Sequence, residues 1–304
     1  MKFSLWPDMH IPFSEVQELA LMIERDGWDG LWYADHYMPN TADGETASGD
    51  VLECFSVLAG LAASVPRIRL GSLVSPTTVN HPTVLANRAA TIDRMSNGRF
   101  ILGLGAGWQV NEHRAYGIDL MVPKDRVTRF GEAIEIISLL LSEPRVNFAG
   151  KYFTITNAPC EPKPVQRPLP LLVGTGSPRM LRFTARFAQE WNTWGTPTTT
   201  PAVMGRLRTA CDAEGRDLAT LHKTTQALVY IVDDVKDVEK VRATAVGAPS
   251  LVGTTEQLTE MIAAYQKIGF DEFCLPDFAA GKSFAQRKES IQQFFTEVAL
   301  HFRK

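Results

Sequence analysis

Short apolar runs alternate with amphipathic stretches along almost the whole chain. The runs contain many β-branched and aromatic residues, which favours strands, whereas the stretches between them repeat their apolar residues with helical periodicity. The predicted strands cover residues 2–6, 30–35, 67–75, 99–107, 169–176, 190–195, 224–232 and 272–278. Eight strands that alternate with about eight helices predict an α/β fold and favour a closed (β/α)8 barrel of the TIM type.

Several predicted helices carry recognisable end signals. Ser14 can cap the first helix and Gly27 can end it, while Pro82 suits the first turn of a later helix. The longest predicted helix covers residues 125–141. Its apolar face consists of Phe130, Ile134, Ile137 and Leu141.

One segment interrupts the alternation after the fourth βα unit. Residues 144–168 have the pattern of a hairpin followed by a proline-rich crossing. The composition does not change on either side of it, as it would at a linker between domains. We therefore interpret 144–168 as an insertion into one barrel domain that covers residues 1–304.

The charge balance argues against two classes of partner. The chain has 31 Lys and Arg against 34 Asp and Glu, a formal net charge of -3. Neither nucleic acid nor an anionic membrane is therefore expected as a partner. No uncharged apolar run reaches the roughly 18 residues of a membrane span, and no secretory signal is recognisable. We predict a cytoplasmic protein that acts on a small molecule.

The cysteines and histidines form no metal-binding pattern. Cys54, Cys160, Cys211 and Cys274 are far apart, which suits buried thiols in a reducing compartment. The histidines match no HExxH spacing, and neither a G-x-S-x-G elbow nor a Walker loop is present. We predict no metal site, and we expect a cofactor to carry the reaction.

Alternate glycines in the fourth predicted strand need an explanation. A dinucleotide fingerprint does not fit Gly103, Gly105 and Gly107, because Trp108 stands three residues after Gly105. Glycines at alternate positions remove the side chains from one strand face, so a flat ligand or another backbone can approach. Relief of packing inside the barrel explains them equally well.

In a barrel of this type the chemistry lies where the strands end. Asp35 and His36 end the second predicted strand, and His36 can move a proton near neutral pH. Such a pair is more often structural, but its position favours function. Glu112 and His113 follow on a short helix, where one can reach the mouth as a proton donor or orienting group. At least one of the two is expected on a solvated helix face.

Aromatic residues and the start of one helix provide further candidate site residues near the strand ends. Trp6, Trp32, Trp108, Trp191 and Trp194 lie on or beside them, and a mouth lined by indoles suits a planar cofactor, although each alone is most simply core. Residues 174–177 open a helix that contains Arg179. Backbone N–H groups and hydroxyls there can hold a phosphate, and a capped helix is the structural alternative.

Four segments together carry a resemblance to a known family. They are GLWYADHYMP at 30–39, LGSLVSPTTVNHPTVLANRAATIDRMSNGR at 70–99, GRFILGLGAGWQVNEHRAYGI at 98–118 and LPLLVGTGSPRMLRFTARFAQEWN at 169–192. In this order they resemble the bacterial-luciferase-like superfamily, and within it the branch that uses the deazaflavin coenzyme F420. The resemblance covers residues 3–195 and continues faintly to the last predicted strand.

The resemblance implies a barrel that holds the cofactor ring at its mouth. It places a non-proline cis peptide at Val74-Ser75, behind the ring, and it makes His36 and Glu112 the catalytic candidates. The residues that it assigns to the cofactor are Asp35, Val74, Ser75, Thr77, Gly105, Gly107, Trp108, Gly174, Thr175, Gly176 and Ser177. On the substrate side of the mouth we expect Trp6, Asn40 and Trp194.

The sequence departs from the sugar-phosphate dehydrogenases of this family. They usually have an acidic residue directly after the G-x-G and a tryptophan after D-H-x-x-P, where this chain has Trp108 and Asn40. A sugar phosphate is therefore not expected as the substrate. The resemblance implies an F420-dependent oxidoreductase that exchanges a hydride with a small organic molecule, and a homodimer. The alternatives are an FMN-dependent monooxygenase and a non-catalytic protein that binds such a cofactor.

Overall fold

The computed structural model describes residues 1–303. These residues form thirteen strands: β1 Lys2–Trp6, β2 Gly30–Tyr33, β3 Arg69–Ser72, β4 Ser75–Pro76, β5 Phe100–Gly105, β6 Val146–Ala149, β7 Thr154–Ala158, β8 Leu171–Gly174, β9 Glu190–Trp194, β10 His222–Gln226, β11 Leu228–Ile231, β12 Ser250–Gly253 and β13 Glu272–Pro276. The same residues form ten α-helices: α1 Phe13–Asp26, α2 Cys54–Ser64, α3 Pro82–Met95, α4 Val110–Ala115, α5 Pro123–Ser142, α6 Pro178–Phe187, α7 Thr200–Ala213, α8 Val238–Thr244, α9 Thr255–Ile268 and α10 Phe284–Glu297.

A closed parallel barrel lies at the centre of the fold. Strand β3 pairs with both β2 and β5, and β13 pairs with both β1 and β10, so the sheet has no open edge. The barrel strands in residues 1–303 are β1, β2, β3, β5, β8, β9, β10 and β13. Each of the eight predicted strands contains or overlaps one of them. The predicted (β/α)8 fold is confirmed.

Two local predictions are wrong. The predicted strand at 224–232 is two strands, because the chain leaves the barrel after β10 and β11 pairs in parallel with β12. A continuous β-rich run does not show where it changes sheets. Ser14 does not cap α1, since the helix begins at Phe13 and Pro12 is its N-cap residue. Gly27 does end it, with a positive φ of 96°.

A hairpin follows α5, within the segment 144–168. Strands β6 and β7 pair antiparallel, and the chain then crosses to β8. Asp93 on α3 holds this crossing, because its carboxylate accepts hydrogen bonds from the backbone N–H groups of Val165 and Gln166 at 2.7 and 3.0 Å. The crossing is therefore fixed to the outside of the barrel.

The apolar core has two parts. The larger part lies between the barrel and its helices and includes Trp191, which stacks on Phe270. The smaller part fills the barrel itself. Its buried members are Trp6, Trp32, Ala34, Leu73, Ile101, Leu172 and Cys274.

A buried ion network lies at the starts of the strands, and we call it the barrel floor. It consists of Arg69, Glu190, His222 and Glu272, together with Ser4. Arg69 donates to both carboxylate oxygens of Glu190 at 2.8 Å, and His222 Nε2 lies 2.9 Å from Glu272 Oε2. Burial alone would raise the pKa of Glu272, but His222 and the charge of Arg69 outweigh it and lower this pKa to about 2.

Candidate active site

Two adjoining cavities open at the carboxyl ends of the barrel strands. The larger, which we call the main chamber, has a volume of about 580 Å³, and the smaller side chamber has about 320 Å³. The residues that line both are His36, Val74, Trp108, Gly174 and Thr175. Their position agrees with the rule that barrels of this type place their sites at these strand ends.

His36 and Glu112 form a pair at the border between the chambers. His36 Nδ1 lies 3.1 Å from Glu112 Oε1, and the other carboxylate oxygen accepts a hydrogen bond from the Tyr37 backbone N–H at 3.0 Å. Glu112 is 1% exposed. The carboxylate therefore fixes the imidazole through Nδ1, which makes Nε2 the ring nitrogen available to a bound molecule.

The short helix α4 holds this pair in place. Contrary to expectation, neither Glu112 nor His113 lies on a solvated face, because both are buried. His113 Nε2 lies 2.7 Å from the Thr78 hydroxyl, and its Nδ1 lies 2.6 Å from the Gln109 carbonyl oxygen. Periodicity could not show this, since a six-residue helix packed into a loop has too few turns to reveal its buried side.

Val74 projects into both chambers from the end of the third strand region. The non-proline cis peptide is Leu73-Val74, one bond earlier than the Val74-Ser75 bond that the resemblance implied. Glycines surround the Val74 side chain. A Cβ at Gly105 would lie 2.8 Å from Val74 Cγ2, and one at Gly174 would lie 3.0 Å from Cγ1. These glycines make room for Val74, which in turn forms one wall of the site.

The other two glycines of the pattern have their own neighbours. A Cβ at Gly103 would lie 1.9 Å from the Ser72 carbonyl oxygen, which no relaxation of a side chain could relieve. Gly107 has a positive φ of 91° and lies against Thr78. Of the two explanations, close approach of another part of the chain is therefore the better one for these positions.

Three residues assigned to the cofactor lie behind the chamber walls. Asp35, Ser75 and Thr77 are buried and line neither chamber. Asp35 Oδ2 accepts hydrogen bonds from the Ser75 hydroxyl at 2.6 Å and from Asn80 at 3.1 Å. Burial raises the pKa of Asp35 to about 6, although these hydrogen bonds oppose the shift. Asp35 thus fixes the loop that carries Val74.

The side chamber has several features that favour an anion. It is lined by Gly174, Thr175 and Ser177 before α6, and by Pro123 and Arg126 in the first turns of α5. Both helices therefore begin at this chamber, and helix N-termini favour negative charge. Arg179, which the sequence suggested as the cation here, instead donates to the Lys124 carbonyl oxygen and the Thr128 hydroxyl.

Aromatic rings line one side of the main chamber. The Trp6 ring lies 5.6 Å from the Trp194 ring and 5.3 Å from the Phe278 ring, measured between centroids. Trp108 lies at the opposite border, edge-on to His36 at 5.5 Å. Trp32 and Trp191 do not reach the mouth, because Trp32 bonds to Ser4 at the floor and Trp191 faces the outer core.

Thirteen of the sixteen predicted site residues line the two chambers, Asn40 and Gly176 among them. Sequence reasoning missed Gln109, Arg126, Asn192, Gln226 and Phe278. Asn192 could have been found, since it lies two residues before Trp194 on the same strand face. Gln226 ends β10, but the prediction ran that strand on to residue 232. Arg126 lies within a helix, where no strand end marks it.

Residues 1–303 contain neither a metal-binding cluster nor a helix suited to span a membrane. No group of three or more His, Cys, Asp or Glu side chains is arranged to hold a metal ion within this range. No helix in the same range combines the length and the apolar character that crossing a membrane requires.

The geometry defines a class of protein, a TIM barrel with a cofactor-sized cleft and a histidine-carboxylate pair at its mouth. The profile of the luciferase-like monooxygenases matches residues 2–246 of this chain. The chain therefore belongs to the luciferase-like monooxygenase family, and the resemblance seen in the sequence is confirmed.

Individual relatives give the range of the family. An F420-dependent glucose-6-phosphate dehydrogenase of Kineococcus radiotolerans is 30% identical over 225 residues, and the match spans 72% of this chain and 65% of that protein. A pyrimidine monooxygenase of Caulobacter sp. is 30% identical over 262 residues, 82% of this chain and 72% of that protein. The structure of the coenzyme F420-dependent tetrahydromethanopterin reductase from Methanopyrus kandleri has a TM-score of 0.82, covers 99% of both chains and is 18% identical, which shows a shared fold.

Proposed function

We propose that this protein is an F420-dependent oxidoreductase that transfers a hydride between the deazaflavin and a small organic substrate. The observation that carries the proposal is the His36-Glu112 pair beside Val74, at the point where the two chambers meet. A proton-handling group at that point is what a hydride transfer requires, whereas mere storage of a cofactor does not. The similarity to F420-dependent glucose-6-phosphate dehydrogenases at 28–30% identity supports this choice of cofactor.

The chambers fit a ring joined to a phosphate-bearing side chain. Val74 and the glycines around it form a surface for a flat ring, and the side chamber with Arg126 suits the phosphate. Gln109 lines the main chamber, and its Oε1 is buried with no hydrogen-bond partner in residues 1–303. That oxygen would accept a hydrogen bond from an N–H group of the ring.

His36 would handle the proton of the reaction. When bound, the deazaflavin supplies or accepts a hydride, because it has carbon where flavin has the nitrogen that supports oxygen chemistry. Glu112 holds the His36 ring through Nδ1, so Nε2 would give the substrate its proton in reduction and take it in oxidation. Trp108, edge-on to His36, would limit the access of water at this point.

A second candidate is an FMN-dependent monooxygenase. The match to the pyrimidine monooxygenase covers a larger share of this chain than the match to the dehydrogenase does, 82% against 72%. The same chambers would hold the flavin ring and its phosphate. A cofactor-binding protein without catalysis is the third candidate, and the fixed His36-Glu112 pair argues against it.

Titration of the purified protein with F420 and, separately, with FMN tests the proposal. We expect F420 to bind at least tenfold more tightly than FMN. The fluorescence of each cofactor reports its binding. Arg126→Gln should weaken binding about tenfold by removing a charge-assisted contact with phosphate, whereas Arg208→Gln, at an exposed position on α7, should not. Preferential binding of FMN would support the monooxygenase, and F420 binding without hydride transfer to any acceptor would support the third candidate.

The assembly is expected from the resemblance and the location from the sequence itself, and both stay proposals. We propose a cytoplasmic homodimer, with 144–168 as an insertion into its single barrel domain. Light scattering of the purified protein tests the dimer, since a mass near 33.7 kDa would contradict it. Fractionation of the source cells tests the location.

A further inference from the structure

The two chambers differ sharply in charge. Among the described residues that line the main chamber, His36 is the only one with an ionisable side chain of the Asp, Glu, Lys, Arg or His type. The side chamber has Arg126 and Glu112 in addition. Two cations lie beyond the main chamber wall: Arg287, whose Nη2 lies 3.0 Å from Asp8 Oδ2, and Arg206, whose Nε donates to the Gly176 carbonyl oxygen at 3.2 Å. Neither arginine is among the residues that line the main chamber.

We propose that the substrate is a neutral, apolar, planar carbonyl compound, or the corresponding alcohol in the reverse direction. This inference rests on the proposed function, because it assigns the side chamber to the cofactor phosphate and the main chamber to the ring and the substrate. It excludes sugar phosphates, carboxylic acids and amines as good substrates.

The aromatic wall supports a planar, apolar shape. Trp194, Trp6 and Phe278 form a continuous series of rings, with neighbouring centroids 5.6 and 5.3 Å apart. Met9 adds a flexible apolar side chain to the same chamber. Such surfaces bind flat unsaturated molecules through buried area and shape, and their ring faces offer no hydrogen-bond partners to the hydroxyl groups of a polyol.

Two of the polar side chains that line the main chamber are engaged with each other. Asn192 Nδ2 donates to Gln226 Oε1 at 2.6 Å, and Gln226 Nε2 donates back to Asn192 Oδ1 at 3.1 Å. Two side-chain amides that satisfy each other do not need hydrogen bonds from a ligand. A sugar hydroxyl buried against these two amides would find both already engaged, and a hydroxyl buried without a partner costs free energy.

Burying a charged group of a substrate in the main chamber would cost more free energy than burying a hydroxyl group. A carboxylate or phosphate in this chamber would lose its hydration, and no Lys or Arg side chain lines the chamber to compensate for it. A neutral carbonyl has a single acceptor, and His36 is positioned to donate to it. In reduction the carbonyl carbon accepts a hydride from the reduced cofactor, the C=O π bond breaks, and the oxygen takes a proton from His36. The products are an alcohol and the cofactor oxidised by two electrons.

Benzaldehyde and 4-carboxybenzaldehyde test the inference, because they share the aldehyde and differ in charge at the far end of the ring. Binding is measured by quenching of tryptophan fluorescence, first without cofactor and then with F420 present. We expect benzaldehyde to bind at least tenfold more tightly with F420 present, when the cofactor phosphate occupies the side chamber beside Arg126. Equal affinity, or a preference for the carboxylate, would overturn the proposal.

Two variants locate the binding. Trp194→Ala should weaken benzaldehyde binding at least fivefold, whereas Phe187→Ala, which removes a half-buried aromatic at the opposite end of the barrel, should not. Phe278→Lys adds a cation at a position that is 43% exposed and should tolerate it. It should raise the affinity for 4-carboxybenzaldehyde several-fold, and an unchanged affinity would mean that the charged ring binds elsewhere.

These measurements distinguish a failure of the proposed function from a failure of the proposed substrate class. If neither F420 nor FMN binds, the proposed function fails, whatever the aldehydes do. If F420 binds and the carboxylated aldehyde is preferred, the proposed function stands and the substrate class is wrong. Turnover of benzaldehyde is measured last, once both binding results are known. With reduced F420 as the hydride donor, the returning absorbance of oxidised F420 reports the reaction.

Discussion

At the two ends of the barrel, the pKa values of buried carboxyl groups are shifted in opposite directions. At the floor, Glu272 is surrounded by Arg69, His222 and Ser4, and its pKa is about 2. At the mouth, burial outweighs the favourable contacts of Asp35 and Asp277 and raises their pKa values to about 6 and 7. The floor is a saturated ion network, whereas the mouth keeps buried oxygens without partners in residues 1–303, such as Asp35 Oδ1 and Gln109 Oε1.

This difference separates stability from function. A saturated network holds the strands together but leaves nothing for a ligand to bind, and in these barrels the strand starts serve stability. Incomplete hydrogen bonding at the mouth costs stability, and native proteins keep such costs mainly where a ligand or reaction uses them. Substitutions at the two ends should therefore change different measured quantities.

The largest expected effect is the loss of turnover in His36→Ala. Without the proton at Nε2, the rate constant for hydride transfer should fall about 10²- to 10⁴-fold. The midpoint of thermal unfolding and the Kd for the cofactor should change little, because His36 lies at the chamber border. Stopped-flow reduction or oxidation of bound F420 measures this step. His301→Ala, at an exposed position, is the matched control. An equal loss of cofactor affinity would assign His36 to binding instead of proton transfer.

Glu272→Gln tests the floor. Removing one charge from a buried network leaves Arg69 and His222 with one partner fewer, which should lower the free energy of unfolding by about 3 kcal/mol. Urea unfolding followed by tryptophan fluorescence measures it. Turnover per folded molecule should stay unchanged, and Glu297→Gln, at an exposed position, should affect neither quantity. A loss of turnover without a loss of stability would place function at the floor and contradict the comparison.

The sequence predicts the floor and the mouth to different extents. The eight strands and their closure follow from periodicity, so the end of each strand, and with it the location of the site, could be predicted. His36 and Trp194 were found in this way. The floor network could not be predicted, because Arg69, Glu190 and Glu272 meet only when the barrel closes. These residues are far apart along the chain, and no local pattern indicates that they pair. The burial of Glu112 depends likewise on the loop against which α4 packs.

The pH dependence of stability should differ between the ends. The pKa of Asp277 is about 7 in the folded protein against about 3.8 in an unfolded chain, so the folded state binds more protons between these values. The free energy of unfolding should therefore fall as pH rises through this window, by up to ~1.4 kcal/mol per pH unit from this group. Asp277→Asn should make that slope shallower between pH 6 and 7, leaving the part that comes from Asp35, which is half-ionised near pH 6.

Glu272 gives the opposite slope at low pH. Its folded pKa lies below the unfolded value of 4.5, so its stabilising contribution is present above pH 4.5 and is lost as pH falls towards 2. Urea unfolding of the parent protein and of Asp277→Asn from pH 3 to 8 measures both slopes. If the two proteins give parallel curves between pH 6 and 7, Asp277 is not the carboxylate that titrates there.

Gly105→Ala should have a small effect on stability and a selective effect on the site. Its Cβ would lie 2.8 Å from Val74 Cγ2, so Val74 must move, at a cost of about 1 kcal/mol in the free energy of unfolding. Because Val74 forms a wall of both chambers, we expect F420 to bind about tenfold more weakly.

The matched control is Gly205→Ala in α7, where an added Cβ meets no atom within 4 Å in residues 1–303. It should raise the free energy of unfolding by up to ~1 kcal/mol, since alanine is the better helix former, and leave cofactor binding unchanged. If Gly105→Ala lowers stability without weakening F420 binding, Val74 serves packing alone. The glycines at the mouth would then belong with the floor, as parts that hold the barrel together.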